Sequence, residues 1–153
     1  MNQESGRSMI EMIGVLAIMG ALTGVAFMLI RDATGSQKQR EVTDEVTTIM
    51  SKVREIHNGY DDFSLMDGDR ILSMMHKEQN PYGGTYGLVV DPSNPRQFVV
   101  SINGLDQTDC EALSMTAWTD SVGYRLSDKK QSGAVGSCDG DNGTNSVQIT
   151  FGE

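Results

Sequence analysis

The chain has 153 residues, enough for one domain and too few for a large catalytic architecture built around an interdomain cleft. Aromatic residues make up only 6% of the sequence, while there are ten methionines and seventeen glycines, so we expect a modest core under a loop-rich surface. The formal net charge of -9, from 21 acidic and 12 basic residues, argues against a surface that binds the phosphate backbone of nucleic acid.

The first element in the chain is an uncharged apolar run of nineteen residues, 12–30, between Glu11 and Arg31. At about 1.5 Å per residue, a helix of this length just crosses a bilayer core of about 30 Å. A secretory signal peptide has a shorter apolar region that follows positive charge, whereas residues 1–6 contain neither Lys nor Arg. We therefore predict a membrane-spanning helix over about residues 9–30, which by itself would fit an ordinary single-span anchor.

Glu11 places a carboxylate at the edge of this apolar run, with methionine and isoleucine on both sides of it within residues 9–13. A carboxylate at the bilayer centre costs about 2.5 to 3.5 kcal/mol on insertion scales and less near the interface, so such residues usually have a cationic partner and a function. The alternative is an interfacial glutamate that contacts lipid headgroups. Five residues upstream, Gly6-Arg7 forms a small-residue joint that a membrane peptidase could enter.

Around this joint, residues 6–18 read GRSMIEMIGVLAI. The run resembles the type III signal of type IV pilins and pseudopilins, in which a prepilin peptidase cuts after the glycine and methylates the new amino terminus. The resemblance implies cleavage between Gly6 and Arg7, methylation of Arg7 and a role for Glu11 in assembly. Glu11 would accept the positive amino terminus of an incoming subunit, because an unpaired buried charge costs far more than a paired one.

Beyond residue 31 the chain is polar, with apolar residues at helical spacing. The intervals are four, three, four and three residues, at Val42, Val46, Ile49, Val53 and Ile56. This is one apolar stripe, which we predict packs on a sheet of the same subunit, because fewer than three heptads make a coiled coil marginal. Asn58-Gly59 is a natural stop, so the predicted helix covers 7–58. Within it, Gly20 and Gly24 form a GxxxG motif that permits close helix approach.

The remaining predicted elements are shorter and lie between turn signals. Asp106 has the position of a helix N-cap, and apolar residues alternate over 98–102 and 147–151, as expected of strands with one buried face. We predict a short helix around 71–75, strands over 85–90 and 97–102 separated by a proline-containing turn, a helix over 106–115 and a closing strand over 147–151.

Three segments of the second half carry a narrower resemblance. They are NPYGG at 80–84, FVVSINGL at 98–105 and CEAL at 110–113. They are similar to type IVb pilins, the class that includes the toxin-coregulated pilin and the thin pili of conjugative plasmids, where a comparable strand, glycine and leucine precede a helix bearing the first cysteine. Residues 116–146 match no pattern.

Cys110 and Cys138 are the two cysteines of the chain. A chain exported past the membrane can keep them oxidised, so we predict a disulfide. By the loop-entropy model, closing a loop of this length contributes about 3.5 kcal/mol to stability. Two free thiols, or a metal site with two cysteines and no nearby histidine, are the less favoured alternatives. In the pilin family such a loop is the variable region exposed on the filament.

The other polar clusters do not have the spacing of a catalytic or metal site. Residues 139–143 are similar to a calcium loop but lack the third oxygen ligand and the closing glutamate, so we interpret them as a turn. His57 and His76 are isolated, and there is no nucleophile elbow, phosphate loop or zinc helix. We therefore predict that the chain is not an enzyme and binds no metal or cofactor. Trp118 and Tyr124 fit either packing or an exposed contact.

The predicted fold is α+β: a pilin fold with a long N-terminal helix packed on an antiparallel sheet and one disulfide. The predicted organisation is a leader over 1–6, the helix over 7–58 and a globular head over 59–153 with a disulfide-closed region 110–138.

The predicted function is that of a structural subunit of a type IV pilus. It would wait in the inner membrane, interact with prepilin peptidase and an assembly platform with its motor, and then form an extracellular homopolymer for adhesion, aggregation or conjugation. One alternative is a pseudopilin of a type II secretion or DNA-uptake machine. The other is a membrane-anchored periplasmic enzyme or binding protein.

Overall fold

In a computed structural model, the structure describes residues 9–126, 138, 140 and 143–152. The chain divides into two compact units, Met1–Gln37 and Lys38–Glu153. The elements in chain order are helix α1 (Met9–Ile56), helix α2 (Gly68–Met74), strands β1 (Tyr86–Val90) and β2 (Gln97–Leu105), helix α3 (Gln107–Ser114), and strands β3 (Ser121–Leu126) and β4 (Asn145–Gly152). The α+β prediction is therefore confirmed, whereas the predicted limits of leader, helix and head stay predictions.

The described part of the first unit is helical throughout, because residues 9–37 all belong to the 48-residue helix α1. Two threonine hydroxyl groups of this unit form hydrogen bonds with the backbone of the same helix. Those of Thr23 and Thr34 donate 2.8 Å hydrogen bonds to the carbonyls of Met19 and Ile30, one turn back. Such bonds satisfy the hydroxyl groups locally, so that they need no water when the helix lies in an apolar medium.

In the second unit, the later residues of α1 supply one side of the hydrophobic core. Val42, Val46, Ile49 and Val53 are at most 1% exposed and belong to the same buried cluster as residues of the sheet. The predicted apolar stripe is thus confirmed for these four positions. Ile56, the last residue of α1, is instead 39% exposed.

The sheet has four antiparallel strands in the order β1-β2-β4-β3. Inward-facing residues alternate along the two central strands, with Val100 of β2 opposite Ile149 of β4. The buried residues of these two strands include Phe98, Val100, Ile102, Val147, Ile149 and Phe151. The three predicted strands are found within a few residues of their predicted limits. Strand β3 lies in the stretch 116–146 that matched no pattern.

The two short helices begin at aspartate caps. The Asp106 side chain accepts a 2.7 Å hydrogen bond from the backbone N–H of Asp109, which confirms the predicted N-cap of α3. Asp67 caps α2 in the same way through the N–H of Arg70. Helix α2 packs closely on β1, because a Cβ at Gly68 would lie 1.8 Å from the carbonyl oxygen of Leu88. Only glycine permits this approach.

The two glycine-containing motifs of the sequence pack against each other around Asn80, which is 5% exposed. Its Nδ2 donates a 2.8 Å hydrogen bond to the carbonyl of Asn103, and its Oδ1 accepts from the N–H groups of Tyr82 and Gly84. A Cβ at Gly84 would lie 1.8 Å from the Asn103 oxygen. The motifs at 80–84 and 98–105 are therefore two sides of one contact that fixes the start of β1 against the end of β2.

A disulfide joins Cys110 of α3 to Cys138, as predicted, with the two Cα atoms 5.9 Å apart. Cys110 is fully buried, whereas Cys138 packs against the edge of the core. Trp118 also belongs to the core at 9% exposure, and its Nε1 has no hydrogen-bond partner in the described structure. Tyr124 lies on the surface of β3 at 43% exposure. Of the two alternatives left open by the sequence, Trp118 therefore has a packing position and Tyr124 an exposed one.

Candidate functional site: the exposed apolar surface of α1

The first unit exposes an apolar surface that is far larger than a soluble protein normally shows. Over residues 9–30, fourteen large hydrophobic side chains are between 49% and 85% exposed. They are Met9, Ile10, Met12, Ile13, Val15, Leu16, Ile18, Met19, Leu22, Val25, Phe27, Met28, Leu29 and Ile30. Among the described residues, α1 is the one helix long and apolar enough to cross a membrane, with a mean hydropathy of 2.4 in its most apolar window. This surface suggests membrane association or export.

Glu11 is the acidic residue in the first turn of α1. A carboxylate at this end of a helix is stabilised by the partial positive charge of the free backbone N–H groups. Among the described residues, no basic group lies within ion-pair distance of it. Gly6 and Arg7, the predicted processing residues, lie outside the described residues. The predicted roles of these three residues therefore stay predictions.

The glycines of the apolar segment leave open space on the helix surface. A Cβ added at Gly14, Gly20 or Gly24 would meet no atom within 4 Å. Gly20 and Gly24 are four residues apart and so lie on the same face of α1. The backbone of α1 is thus accessible for close approach by another helix along this face.

In the second unit, polar contacts hold α1 at the start of its buried segment. At the start of this unit, the Gln39 side chain donates a 2.9 Å hydrogen bond to the hydroxyl of Thr116, which lies two residues after the end of α3. One turn and a half further along, Glu45 accepts a 2.7 Å hydrogen bond from the Tyr86 hydroxyl and pairs with Lys77. Burial, followed by the Glu45 hydrogen bond, raises the pKa of Tyr86. These contacts fix the rotation of α1 against the sheet.

A second polar group surrounds Tyr82 at the start of α3. Lys38 Nζ lies 5.6 Å from the centroid of the Tyr82 ring, in cation–π geometry. Burial, with smaller effects of Asp109 and Asp106, raises the pKa of Tyr82 to about 12. Burial and the neighbouring charge of Asp106 raise the pKa of Asp109, with Lys38 opposing. The arrangement connects α1 to the start of α3.

The surface at the end of α1 has a groove of about 340 Å³, which we call the Ile56 groove. Its exposed apolar residues are Ile56, Tyr60, Leu65 and Met74, with exposures of 39% to 81%. Asp67 and Arg70 also line it. Sequence reasoning missed this groove, because it joins the end of α1 to a loop and to α2, and no local pattern predicts that proximity.

Among the described residues, no three His, Cys, Asp or Glu side chains are grouped closely enough to hold a metal ion. His57 Nδ1 lies 3.1 Å from the Val53 carbonyl and its ring contacts Phe63, so it has a packing role. In the calcium-like run 139–143, residues 139, 141 and 142 lie outside the described residues.

No protein-family model matches this chain, and no curated protein matches it with significance. The architecture, with an apolar N-terminal helix, a four-stranded antiparallel sheet and one disulfide, is consistent with a pilin-like fold.

Proposed function

We propose that this chain is a structural subunit of a type IV pilus that polymerises through α1. The observation that carries the proposal is the row of fourteen exposed apolar side chains on a helix whose later residues form the spine of a disulfide-bonded α+β head. Removing one large apolar side chain from water contributes about 1.5 to 3 kcal/mol. A surface of this size is therefore stable in a bilayer, or against the same helices of neighbouring subunits.

Glu11 gives this assembly its register. Prepilin peptidase cuts between Gly6 and Arg7 and methylates Arg7, which leaves a positive amino terminus four residues before the carboxylate. When a subunit moves from the membrane into the filament, its amino terminus pairs with Glu11 of a subunit already in place. Pairing matters because a single charge buried in an apolar filament centre is strongly destabilising.

The remaining partners follow from this role. The subunit is held in the inner membrane until an assembly platform and its motor lift it into the extracellular filament, which serves adhesion, aggregation or conjugation. The subunit has no catalytic activity and uses no cofactor. Its head, acidic and rich in surface loops, stays soluble outside the cell.

Intact-mass measurement of the purified protein, combined with electron microscopy of the cells, tests the proposal. We expect a chain that begins at methylated Arg7 and surface fibres composed mainly of it. Glu11→Ala should abolish fibres while Glu41→Ala, at an exposed position of the same helix, leaves them unchanged. A cut chain found only in short periplasmic assemblies would indicate a pseudopilin, and retention of residues 1–6 would indicate a membrane-anchored protein; either result overturns the proposal.

A further inference from the structure

The Ile56 groove concentrates exposed apolar surface on an otherwise acidic head. Of the large apolar side chains that the described residues of the second unit expose, half lie in this one groove: Ile56, Tyr60, Leu65 and Met74. Residues 31–153 carry 19 acidic and 11 basic side chains, so copies of the head repel each other. Contact between two heads therefore needs both apolar burial and a matched pair of opposite charges.

Arg70 supplies the positive member of such a pair. It is exposed and lines the groove together with Asp67, whose carboxylate accepts a hydrogen bond from the Arg70 backbone N–H. Within the described part of the chain, no carboxylate lies within ion-pair distance of the Arg70 guanidinium group. A partner that fills this groove should therefore present an apolar side chain with a carboxylate beside it.

The same chain presents such a pair on α3. Met115, the C-cap residue of α3, is 85% exposed, and Glu111 is also exposed. Residues four apart on a helix lie on one face, so Glu111 and Met115 share a face of α3, where Glu111 Oε1 also accepts a 3.0 Å hydrogen bond from Gln107 Nε2. Met is flexible and polarisable and fits irregular apolar grooves well. We call this pair the Met115 knob.

The groove and the knob lie at opposite ends of the α1 segment in the second unit. The knob is next to Thr116, which accepts a hydrogen bond from Gln39, whereas the groove begins at Ile56. Seventeen residues of helix separate Gln39 from Ile56, which corresponds to about 25 Å along the axis. Two different complementary surfaces on one unit make a heterologous contact, and such contacts propagate into an open helical filament when the rotation between copies does not close a ring.

We propose that the Ile56 groove of one subunit binds the Met115 knob of a second copy of this chain, with Arg70 paired to the Glu111 carboxylate of that copy. This contact rests on the proposed filament function and adds an interface between neighbouring globular heads to the assembly through α1. It fixes the orientation of each head relative to the next, because the methionine must fit the groove while the carboxylate meets the Arg70 guanidinium group.

Charge reversal in the full-length protein, expressed in cells that assemble it, tests the contact. Arg70→Glu and Glu111→Arg should each lower the yield of sheared filaments about tenfold, and the double variant should restore it to within about twofold of wild type. Arg125→Glu and Glu78→Arg, which change exposed charges outside both surfaces, should leave the yield unchanged. The intact Cys110–Cys138 bond, measured by mass spectrometry, reports that each variant folds.

Cysteine crosslinking provides a second readout that does not depend on filament yield. Cells that coexpress Met74→Cys and Met115→Cys subunits should give crosslinked dimers, whereas Val89→Cys, at an exposed position of β1, should give none with Met115→Cys. If the wild-type protein forms filaments but the double variant gives no rescue and no crosslink forms, the contact is overturned and the proposed function stands. An uncut chain without filaments overturns both.

Discussion

The Tyr86 hydroxyl donates a 2.7 Å hydrogen bond to Glu45 Oε2 and so connects strand β1 to helix α1. The other carboxylate oxygen pairs with Lys77, which follows α2. One carboxylate, with only 11% of its side chain exposed, thus joins three segments of the head. A carboxylate in such a position is stable only while its partners are present, because a charge removed from water needs hydrogen bonds to replace those of the solvent.

Tyr86→Phe should therefore lower the free energy of unfolding by about 1.5 to 3 kcal/mol, the range for hydrogen bonds to charged groups. The measurement is chemical denaturation of the detergent-solubilised protein, followed by the fluorescence of Trp118, which is the one tryptophan and is buried. Tyr124→Phe is the matched control, because Tyr124 is 43% exposed on β3. Equal stability of the two variants would contradict the role of the Tyr86–Glu45 bond.

Alkaline pH should destabilise the head through Tyr82. Its pKa is raised from 10.0 to about 12 in the folded state, mainly by burial. A raised folded-state pKa contributes stability that is fully present below pH 10 and is lost as the pH rises through 12. Tyr82→Phe should flatten the decline of unfolding free energy over this interval, whereas Tyr60→Phe, at a position 64% exposed, should not. An unchanged decline in the Tyr82 variant would contradict this cause.

Gly84→Ala should destabilise the head by about 1 to 3 kcal/mol or more, because the added Cβ forces the backbone of two packed segments apart. At this position the Cβ would meet the Asn103 carbonyl oxygen at 1.8 Å. Gly123→Ala is the control, since a Cβ there meets nothing within 4 Å. Thermal denaturation of both variants measures the difference, and a Gly84 variant as stable as the Gly123 variant would show that the two motifs do not need this close contact.

Loss of the disulfide should be costly for a head of this size. The double substitution Cys110→Ser and Cys138→Ser should lower the free energy of unfolding by about 3.5 kcal/mol, because the unfolded chain regains the freedom of the closed loop. Wild-type protein treated with reductant is the comparison, since it lacks the bond but keeps both sulfur atoms. If oxidised wild type and the double variant unfold at the same denaturant concentration, the bond does not stabilise the head.

Local patterns in the sequence predicted those elements that alternate between core and solvent. The stripe Val42 to Val53 and the inward residues of β2 and β4 are fully or almost fully buried, so burial leaves a clear period in the sequence. Strand β3 leaves no such period. Its Val122 and Tyr124 are exposed and its Ser121 and Gly123 are small, so neither face of the strand carries a row of buried apolar residues.

The contacts that join distant segments could not be predicted in this way. Asn80 is buried with hydrogen bonds to Asn103, 23 residues away, and Glu45 contacts Tyr86 across 41 residues. Neither asparagine nor glutamate carries a local signal of burial, since both residue types are usually exposed. The Ile56 groove depends on the same kind of long-range packing. The residues of the proposed processing site are predicted from a short linear motif alone, and Gly6 and Arg7 lie outside the described residues.

Strand β4 occupies an interior place in the sheet, between β2 and β3, although it follows every other element in the chain. The core of the head therefore cannot close until residues 145–152 have been synthesised and have left the ribosome. Premature termination before them would remove three fully buried or almost fully buried side chains at once: Val147, Ile149 and Phe151. Truncated chains of this kind would leave the apolar faces of α1 and β2 uncovered and would therefore be substrates for cellular proteases.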